Sequence, residues 1–392
     1  MPWLETCPMD QRLAFIADWR SGEWTMTELA ARYGVSRKTA YKWRERWEAA
    51  GRAGLADHSR APHGSSEAWD PETREAVLAA RRRLPHRGPR KLHAILSARE
   101  PTRTWPAPST MGVWLQEAGL STPRPRVRTL EPLTQPLAAA QAANDVWTAD
   151  FKGWFRTTDG QRCDPFTLAD AYSRFVLTCR IVPVSGAGVR PCFERAFRTY
   201  GLPRALRTDN GAPFATTGAG RLSRLAIWWL KLGIAVERID PGHPEQNGRH
   251  ERFHLTLQQE AATPPAATPA QQQRRFDRFR RDYNEERPHE ALGQRPPATR
   301  YTASPRPYPG RLEDPTYEAT HQVRRANPNG QIKWQGERIF ISEAVRGEVL
   351  GLAETDHGDW LVRFMHVDLG RIDRRTRRFL PAWHGPRVGR RR

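Results

Sequence analysis

Trp147-Thr148-Ala149-Asp150-Phe151 is a strand-like run that encloses one carboxylate, and it decides the interpretation of the chain. A second carboxylate, Asp209, follows a short strand and precedes an Asn-Gly turn in Arg207-Thr208-Asp209-Asn210-Gly211. A third, Glu251, stands in Gly248-Arg249-His250-Glu251-Arg252-Phe253-His254, a helical stretch that opens after a Pro- and Gly-rich loop. Carboxylates on three rigid elements can converge on two hard cations about 3.5–4 Å apart, the arrangement that serves in-line phosphoryl displacement.

The composition indicates a polyanionic partner. The 392 residues include 63 Lys plus Arg against 43 acidic residues, a formal charge of +20. Such an excess favours phosphate contacts that weaken with salt, and a metal–carboxylate site in a cationic chain indicates chemistry on nucleic acid. The four cysteines form no Cys-x-x-Cys pair, so a reducing compartment is expected. There is no apolar signal region near Glu5 and Asp10 and no run of 18 apolar residues, so neither a signal peptide nor a membrane span is predicted.

Residues 1–62 are predicted to form a helix-turn-helix DNA-binding domain. The stretch from Thr27 to Trp43 has core spacing for two helices that cross at a tight turn, with Gly34 in the turn and Ser36 as the N-cap of the second helix. In a helix-turn-helix, the second helix lies in the major groove. The alternative is an ordinary helical hairpin with a solvated basic face. The residues predicted to contact DNA are Arg37, Lys38, Thr39 and Lys42.

Residues 66–122 are predicted to form a second helical unit, with helices over Pro71–Leu84, Arg90–Ala98 and Ser109–Ala118. Its basic turn, which contains Arg90 and Lys91, suggests a second, weaker helix-turn-helix that contacts DNA. A plain helical spacer is the alternative. Residues 123–142 lack periodicity and are predicted to be an extended linker.

Residues 143–300 are predicted to form an α/β core. Three strands come first, then a helix, a short buried strand, another helix, a further strand and two helices, which indicates a mixed sheet with helices on its faces, a ribonuclease-H-like arrangement. Residues 316–385 contain five short strands and precede a basic tail, which suggests a small β-barrel. The predicted helix of this part of the core is Arg190–Tyr200. The predicted strands are Val146–Phe155, Cys163–Asp170, Phe175–Val182, Ala205–Thr208 and Ile234–Ile239.

The middle region resembles the catalytic core of retroviral-type integrases and of related bacterial insertion-sequence transposases. The motifs around Asp150, Asp209 and Glu251 carry this resemblance, together with Tyr283-Asn284 and Arg287-Pro288-His289 at its end. No zinc-type N-terminal module is present, and the interval from Asp209 to Glu251 is somewhat longer than in retroviral integrases. The whole chain resembles a multidomain transposase: two N-terminal all-α helix-turn-helix units, a ribonuclease-H-like core and a C-terminal β module.

The resemblance implies a DDE-type transposase in which Asp150, Asp209 and Glu251 are catalytic and hold Mg²⁺ or Mn²⁺, with two ions per active site. The expected partners are double-stranded DNA, both element ends and target, and at least one more copy of the chain, as a dimer or tetramer on DNA. Arg249 and Arg252 are expected to contact DNA. A bacterial cytoplasmic, nucleoid-associated protein without a membrane partner is expected.

Three other interpretations remain open. His250-Glu251-Arg252-Phe253-His254 satisfies the His-Glu-x-x-His pattern of zinc proteases, although its polar flanks and the missing third ligand argue against a protease. If this helix is not a zinc site, its two histidines are expected to contact DNA or solvent. The chain could also be a DNA-binding regulator with an inactive core, or a nuclease for RNA–DNA hybrids. Within the DDE interpretation, Glu245 is a second candidate for the third acid.

Overall fold

A computed structural model describes residues 7–57, 69–121, 140–216, 218–239 and 248–382. The chain divides into two compact units, residues 1–68 and 69–392. Most of the predicted linker, the loop that carries Glu245 and the arginine-rich C-terminus lie outside the described residues.

The helices are α1 Pro8–Ser21, α2 Met26–Arg32, α3 Arg37–Ala50, α4 Pro71–Arg83, α5 Pro89–Arg99, α6 Pro108–Glu117, α7 Gly186–Tyr200, α8 Arg224–Lys231, α9 Gly248–Leu257 and α10 Pro269–Glu285. The strands are β1 Val146–Phe151, β2 Phe155–Arg156, β3 Arg162–Cys163, β4 Pro165–Asp170, β5 Val176–Ile181, β6 Ala205–Thr208, β7 Ala235–Arg238, β8 Gln322–Arg325, β9 Gln331–Trp334, β10 Glu337–Phe340, β11 Val349–Glu354, β12 Trp360–Phe364, β13 Val367–Ile372 and β14 Phe379–Pro381.

The first unit has the predicted helix-turn-helix. Thr25 caps α2 and Ser36 caps α3 by accepting hydrogen bonds from backbone N–H groups of the first turn. Such caps satisfy amide donors that a helix leaves without a partner. Between the helices Gly34 has a φ of +64°, a left-handed conformation that glycine adopts without strain. Buried Phe15, Leu29 and other apolar side chains of the three helices form the core of this unit.

The second unit is built on a mixed five-stranded sheet with the order β5-β4-β1-β6-β7. Strand β1 pairs antiparallel with β4 and parallel with β6, and β6 pairs parallel with β7. This confirms the predicted mixed sheet. Helices cover both faces: α7 and α8 pack in one apolar cluster, and α9 and α10 pack in another with β5. Because β1 and β6 are parallel, the C-terminal ends of these two strands lie at the same edge of the sheet, where the candidate site is found.

Helices α4, α5 and α6 form a small bundle with its own core around Val77, Leu92 and Met111. Ion pairs join this bundle to the region around α10. We call these three pairs the charged seam: Arg87–Glu260, Arg90–Glu290 and Arg99–Glu286.

The C-terminal strands do not confirm the predicted β-barrel. In the described part of the chain they form an open five-stranded sheet, β14-β13-β12-β11-β8, and a separate β9–β10 hairpin. Buried Trp334, Leu350 and Phe364 of this module belong to the same apolar cluster as Phe197 and Trp229 of the core. The module is therefore packed on the core. Among the described residues, none of the helices combines the length and the apolar character that crossing a membrane requires.

Candidate active site

The strand register places two of the three predicted acids side by side. Ala149 of β1 is paired with Thr208 of β6 in the parallel ladder. The next residues, Asp150 and Asp209, therefore lie at the same edge of the sheet, at the carboxyl ends of adjacent parallel strands. Asp150 is partly buried, and its Oδ1 accepts a hydrogen bond from the Phe151 N–H at 2.8 Å. This edge is where open α/β sheets commonly bind ligands.

Asp209 has the features of a cation ligand. Burial raises the pKa of Asp209, and a hydrogen bond from the Gly211 backbone N–H opposes that rise. Its Oδ1 is buried and has no hydrogen-bond partner among the described residues. A buried carboxylate oxygen without a donor is costly in an apoprotein. Coordination of a divalent cation would compensate it, so Asp209 fits a metal site.

We expect Asp209→Asn to stabilise the metal-free protein, because the change removes a buried charge that lacks a full set of donors. The Tm in EDTA should rise by about 1–3 °C, the shift expected from a fraction of a kcal/mol to one kcal/mol in a domain of this size. Thermal unfolding of the full chain measures the effect. Asp356→Asn is the matched control, because Asp356 is exposed, and it should leave the Tm unchanged. A lower Tm for Asp209→Asn would contradict this account.

Helix α9 is fixed to the sheet by two histidines. His250 is 3% exposed, with Nδ1 2.9 Å from Thr148 Oγ1 and Nε2 2.7 Å from Thr167 Oγ1. His254 Nε2 lies 2.8 Å from the same Thr167 Oγ1, and its Nδ1 lies 4.0 Å from Asp150 Oδ2. The expectation that both histidines contact DNA or solvent is therefore wrong for His250. They anchor the first turns of α9 over β1 and β4.

Burial keeps both histidines neutral. Burial lowers the pKa of His250 to about 4. Burial, reinforced by His250 and Lys152, lowers the pKa of His254 to about 2. At neutral pH each ring consequently carries one N–H and one lone pair.

Glu251 lies in the first turn of α9, one residue after His250, and is exposed. The residues of α9 that are buried against the rest of the core are His250, Phe253 and Leu257. Leu255, four residues after Glu251 and on the same side of the helix, is 49% exposed. Glu251 is thus on an exposed flank of an anchored helix.

Two further polar groups lie near Asp150, the Thr167 hydroxyl and the Lys152 ammonium, and the sequence alone did not indicate either of them. Thr167 is paired with Asp150 in the β1–β4 ladder, and its hydroxyl contacts both histidines. The Lys152 ammonium is hydrogen-bonded to the Gln258 side chain, and burial lowers the pKa of Lys152. The only sequence signal for these contacts was the four-residue spacing of His250 and His254, which places both rings on one face of a helix.

The predicted DNA-contact residues lie in different environments. Arg37, Lys38 and Lys42 are exposed on α3, and Thr39 Oγ1 lies 2.9 Å from Ser36 Oγ at the helix cap. Arg90 pairs with Glu290, Lys91 is partly buried, and Arg249 and Arg252 are exposed on α9.

The mixed sheet, its helices on both faces and the acids at its edge define a ribonuclease-H-like core, and family models agree. Two models described as "Integrase core domain" match residues 140–244 and 232–297. A model described as "Helix-turn-helix domain" matches residues 11–63, and one described as "Homeodomain-like domain" matches residues 39–115.

Curated relatives come from bacterial insertion elements. The "Insertion element IS407 uncharacterized 31.7 kDa protein" of Burkholderia multivorans is 31% identical over 236 residues, which cover 58% of this chain and 82% of the relative. The "Insertion element IS476 uncharacterized 39.2 kDa protein" of Xanthomonas euvesicatoria is 34% identical over 167 residues, 42% of this chain and 46% of the relative. The chain belongs to the insertion-sequence transposases of the integrase superfamily.

The solved structures to which this chain shows some similarity include retroviral integrases. The catalytic core domain of BIV integrase has 19% sequence identity and a TM-score of 0.31, and the match covers 40% of this chain and 93% of that one. The trimeric HTLV-2 integrase catalytic core domain in complex with magnesium has 13% identity and a TM-score of 0.32, over 41% of this chain and 99% of that one.

Proposed function

We propose that this protein binds the ends of a mobile DNA element, cleaves them to free 3′-hydroxyls and joins those ends to target DNA. The observation that carries the proposal is the adjacent placement of Asp150 and Asp209, together with the buried Oδ1 of Asp209, which has no donor among the described residues. Glu251, in the first turn of the anchored helix α9, would complete the site.

Asp150, Asp209 and Glu251 would hold divalent cations, and carboxylate ligands favour Mg²⁺ or Mn²⁺. Bound there, a pair of such ions would activate the attacking oxygen and stabilise the leaving oxygen of an in-line displacement.

The chain's own residues would position the reactants. In the first reaction water attacks a phosphodiester at the element end, the P–O bond to the 3′-oxygen breaks, and a 3′-hydroxyl is released. In the second, that hydroxyl attacks a target phosphodiester and displaces another 3′-oxygen. Neither reaction requires a covalent protein–DNA intermediate, so no serine or tyrosine nucleophile is involved. Because two ends are joined, we propose that at least a dimer assembles on DNA.

The test is a strand-transfer assay with the full chain, a duplex ending in the inverted repeat that flanks the gene, and a target plasmid. Mg²⁺ or Mn²⁺ should support cleavage and joining, whereas Ca²⁺ should support assembly on DNA without catalysis. Removal of the metal with EDTA should abolish both products. Full activity with stoichiometric zinc and no Mg²⁺ would overturn the metal assignment. End binding without any cleavage would instead support the DNA-binding regulator.

We expect the triple change of Arg37, Lys38 and Lys42 to Ala to weaken binding to the element end much more than binding to unrelated duplex. The three side chains are exposed on the second helix of the helix-turn-helix, where groove contacts specify sequence and phosphate contacts do not. Each lost base contact costs about 1–3 kcal/mol, so specific binding should fall by a hundredfold or more. Fluorescence anisotropy with the two duplexes at one salt concentration measures this. An equal loss on both duplexes would show that these residues contact only phosphate.

A further inference from the structure

The Thr167 hydroxyl has three partners. It donates to the Asp150 backbone carbonyl at 3.0 Å, and it lies 2.7 Å from His250 Nε2 and 2.8 Å from His254 Nε2. A threonine hydroxyl has one proton and two lone pairs. A carbonyl oxygen can only accept, so the single proton is used on Asp150 O.

Both histidines must then donate to Thr167, and this assigns their tautomers. Each ring carries its proton on Nε2 and a lone pair on Nδ1. For His250 that lone pair is used: the Thr148 hydroxyl lies 2.9 Å from Nδ1 and 3.3 Å from the Ala169 carbonyl, and its one proton is donated over the shorter distance. His250 therefore has both ring nitrogens occupied.

His254 differs from His250 at Nδ1. His254 Nδ1 lies 4.0 Å from Asp150 Oδ2. A neutral imidazole nitrogen and a carboxylate oxygen are both acceptors, so no proton lies between them in this tautomer. Two acceptors that face each other at a partly buried site are a pair of cation ligands. Their separation is within reach of one ion with bonds of about 2.1 Å to each atom.

We propose that His254 Nδ1 is a ligand of the divalent metal held by Asp150. This rests on the proposed function, because it adds a nitrogen donor to the carboxylate site described above. Asp150, His250 and His254 offer ligand atoms that all lie within 4.8 Å of one another. The hydrogen bonds distinguish the two histidines, since strand threonines contact both ring nitrogens of His250, whereas the Nδ1 lone pair of His254 faces Asp150 Oδ2.

The same argument separates this site from a zinc protease. In the His-Glu-x-x-His motif of those enzymes both histidines bind the metal. Here both nitrogens of His250 are engaged by strand threonines. The motif thus provides one ligand and one anchor.

A nitrogen ligand changes the ion preference in a testable direction. Imidazole binds transition metals better than it binds Mg²⁺ or Ca²⁺, whose preferred ligands are oxygens. His254→Asn should therefore lower the affinity for Mn²⁺ by tenfold or more and change the affinity for Mg²⁺ much less. Isothermal titration of the full chain with each ion measures both. A parallel loss for both ions would contradict nitrogen ligation.

Pulsed EPR of the Mn²⁺-loaded full chain tests the ligand directly. The wild type should show ¹⁴N coupling to the manganese, which becomes ¹⁵N coupling when the protein is made with ¹⁵N-histidine. His254→Asn should lose it, and His357→Asn, the change of an exposed histidine, should keep it. A wild-type spectrum without histidine coupling overturns the proposal, whether or not the variant folds. Coupling that survives in His254→Asn overturns it as well.

The outcome also distinguishes this inference from the proposed function. Mn²⁺ that binds, supports strand transfer and shows no nitrogen coupling leaves the transposase assignment intact and removes His254 from the metal. If the full chain binds no Mn²⁺ at all, both the nitrogen ligand and the carboxylate metal site are wrong.

Discussion

Glu251→Gln should abolish cleavage and strand transfer while leaving DNA binding intact. The change keeps the size of the side chain and removes a negative charge from the first turn of α9, which the histidines hold against β1. The bound divalent cations would stabilise the charge that develops in the transition state by several kcal/mol. Loss of one of their ligands should therefore lower the rates of cleavage and of strand transfer by more than about a hundredfold. The strand-transfer assay and anisotropy on the element end measure the two properties separately.

Glu245→Gln is the matched control for the choice between two glutamates. Glu245 follows Pro244 in a Pro- and Gly-rich segment, a composition typical of loops, whereas a ligand must be held to about 0.5 Å. We therefore expect Glu245→Gln to keep measurable activity. If Glu245→Gln is inactive and Glu251→Gln is active, the third acid is wrongly assigned even though the family is right.

Regular elements of the α/β core and of the helical bundle could be predicted because their local patterns agree with the fold. The strand predicted over Ala205–Thr208 has those bounds in the structure, and the helices predicted over Pro71–Leu84 and Ser109–Ala118 correspond to α4 and α6. Each is marked by alternation or helical periodicity between clear turn signals. The adjacency of Asp150 and Asp209 then follows from the parallel pairing of their strands.

The contacts of α9 could not be predicted, because they depend on partners far away in sequence. A polar stretch such as Gly248–Leu257 indicates exposed histidines when only local pattern is considered. His250 is buried because hydroxyls on β1 and β4 satisfy both of its nitrogens, and buried polar groups require such partners. Only the register of the sheet brings Thr148 and Thr167 together.

The C-terminal module shows a second limit. Five strands were expected, and the structure adds Gln322–Arg325 and Phe379–Pro381 at the two edges of the open sheet. Edge strands expose one side to solvent and can be short and polar, so alternation does not mark them. Without those strands the topology could not be derived, and the open sheet of the described residues does not confirm the expected β-barrel.

Glu260→Gln should destabilise the full chain by about 3–5 kcal/mol, the loss expected when one partner of a buried ion pair is removed. Glu260 pairs with Arg87 of the helical bundle and with Arg287 of the core, and the three side chains are only 12%, 7% and 8% exposed. The glutamine has nearly the same shape but leaves two guanidinium charges in a partly dehydrated site without a counter-charge. Urea unfolding followed by circular dichroism measures the loss.

Glu290→Gln is the internal comparison, because it breaks another pair of the charged seam in an exposed setting. Arg90 and Glu290 are 2.8 Å apart, but their side chains are 73% and 75% exposed. Solvent screens such a pair, so this variant should lose at most about 1 kcal/mol. Both variants remove one carboxylate that faces the same helical bundle. A difference between their losses of unfolding free energy therefore comes from the different burial of the two ion pairs. Equal, small losses would mean that apolar packing holds the bundle on the core and that water reaches Arg87 and Arg287 freely enough to replace the carboxylate.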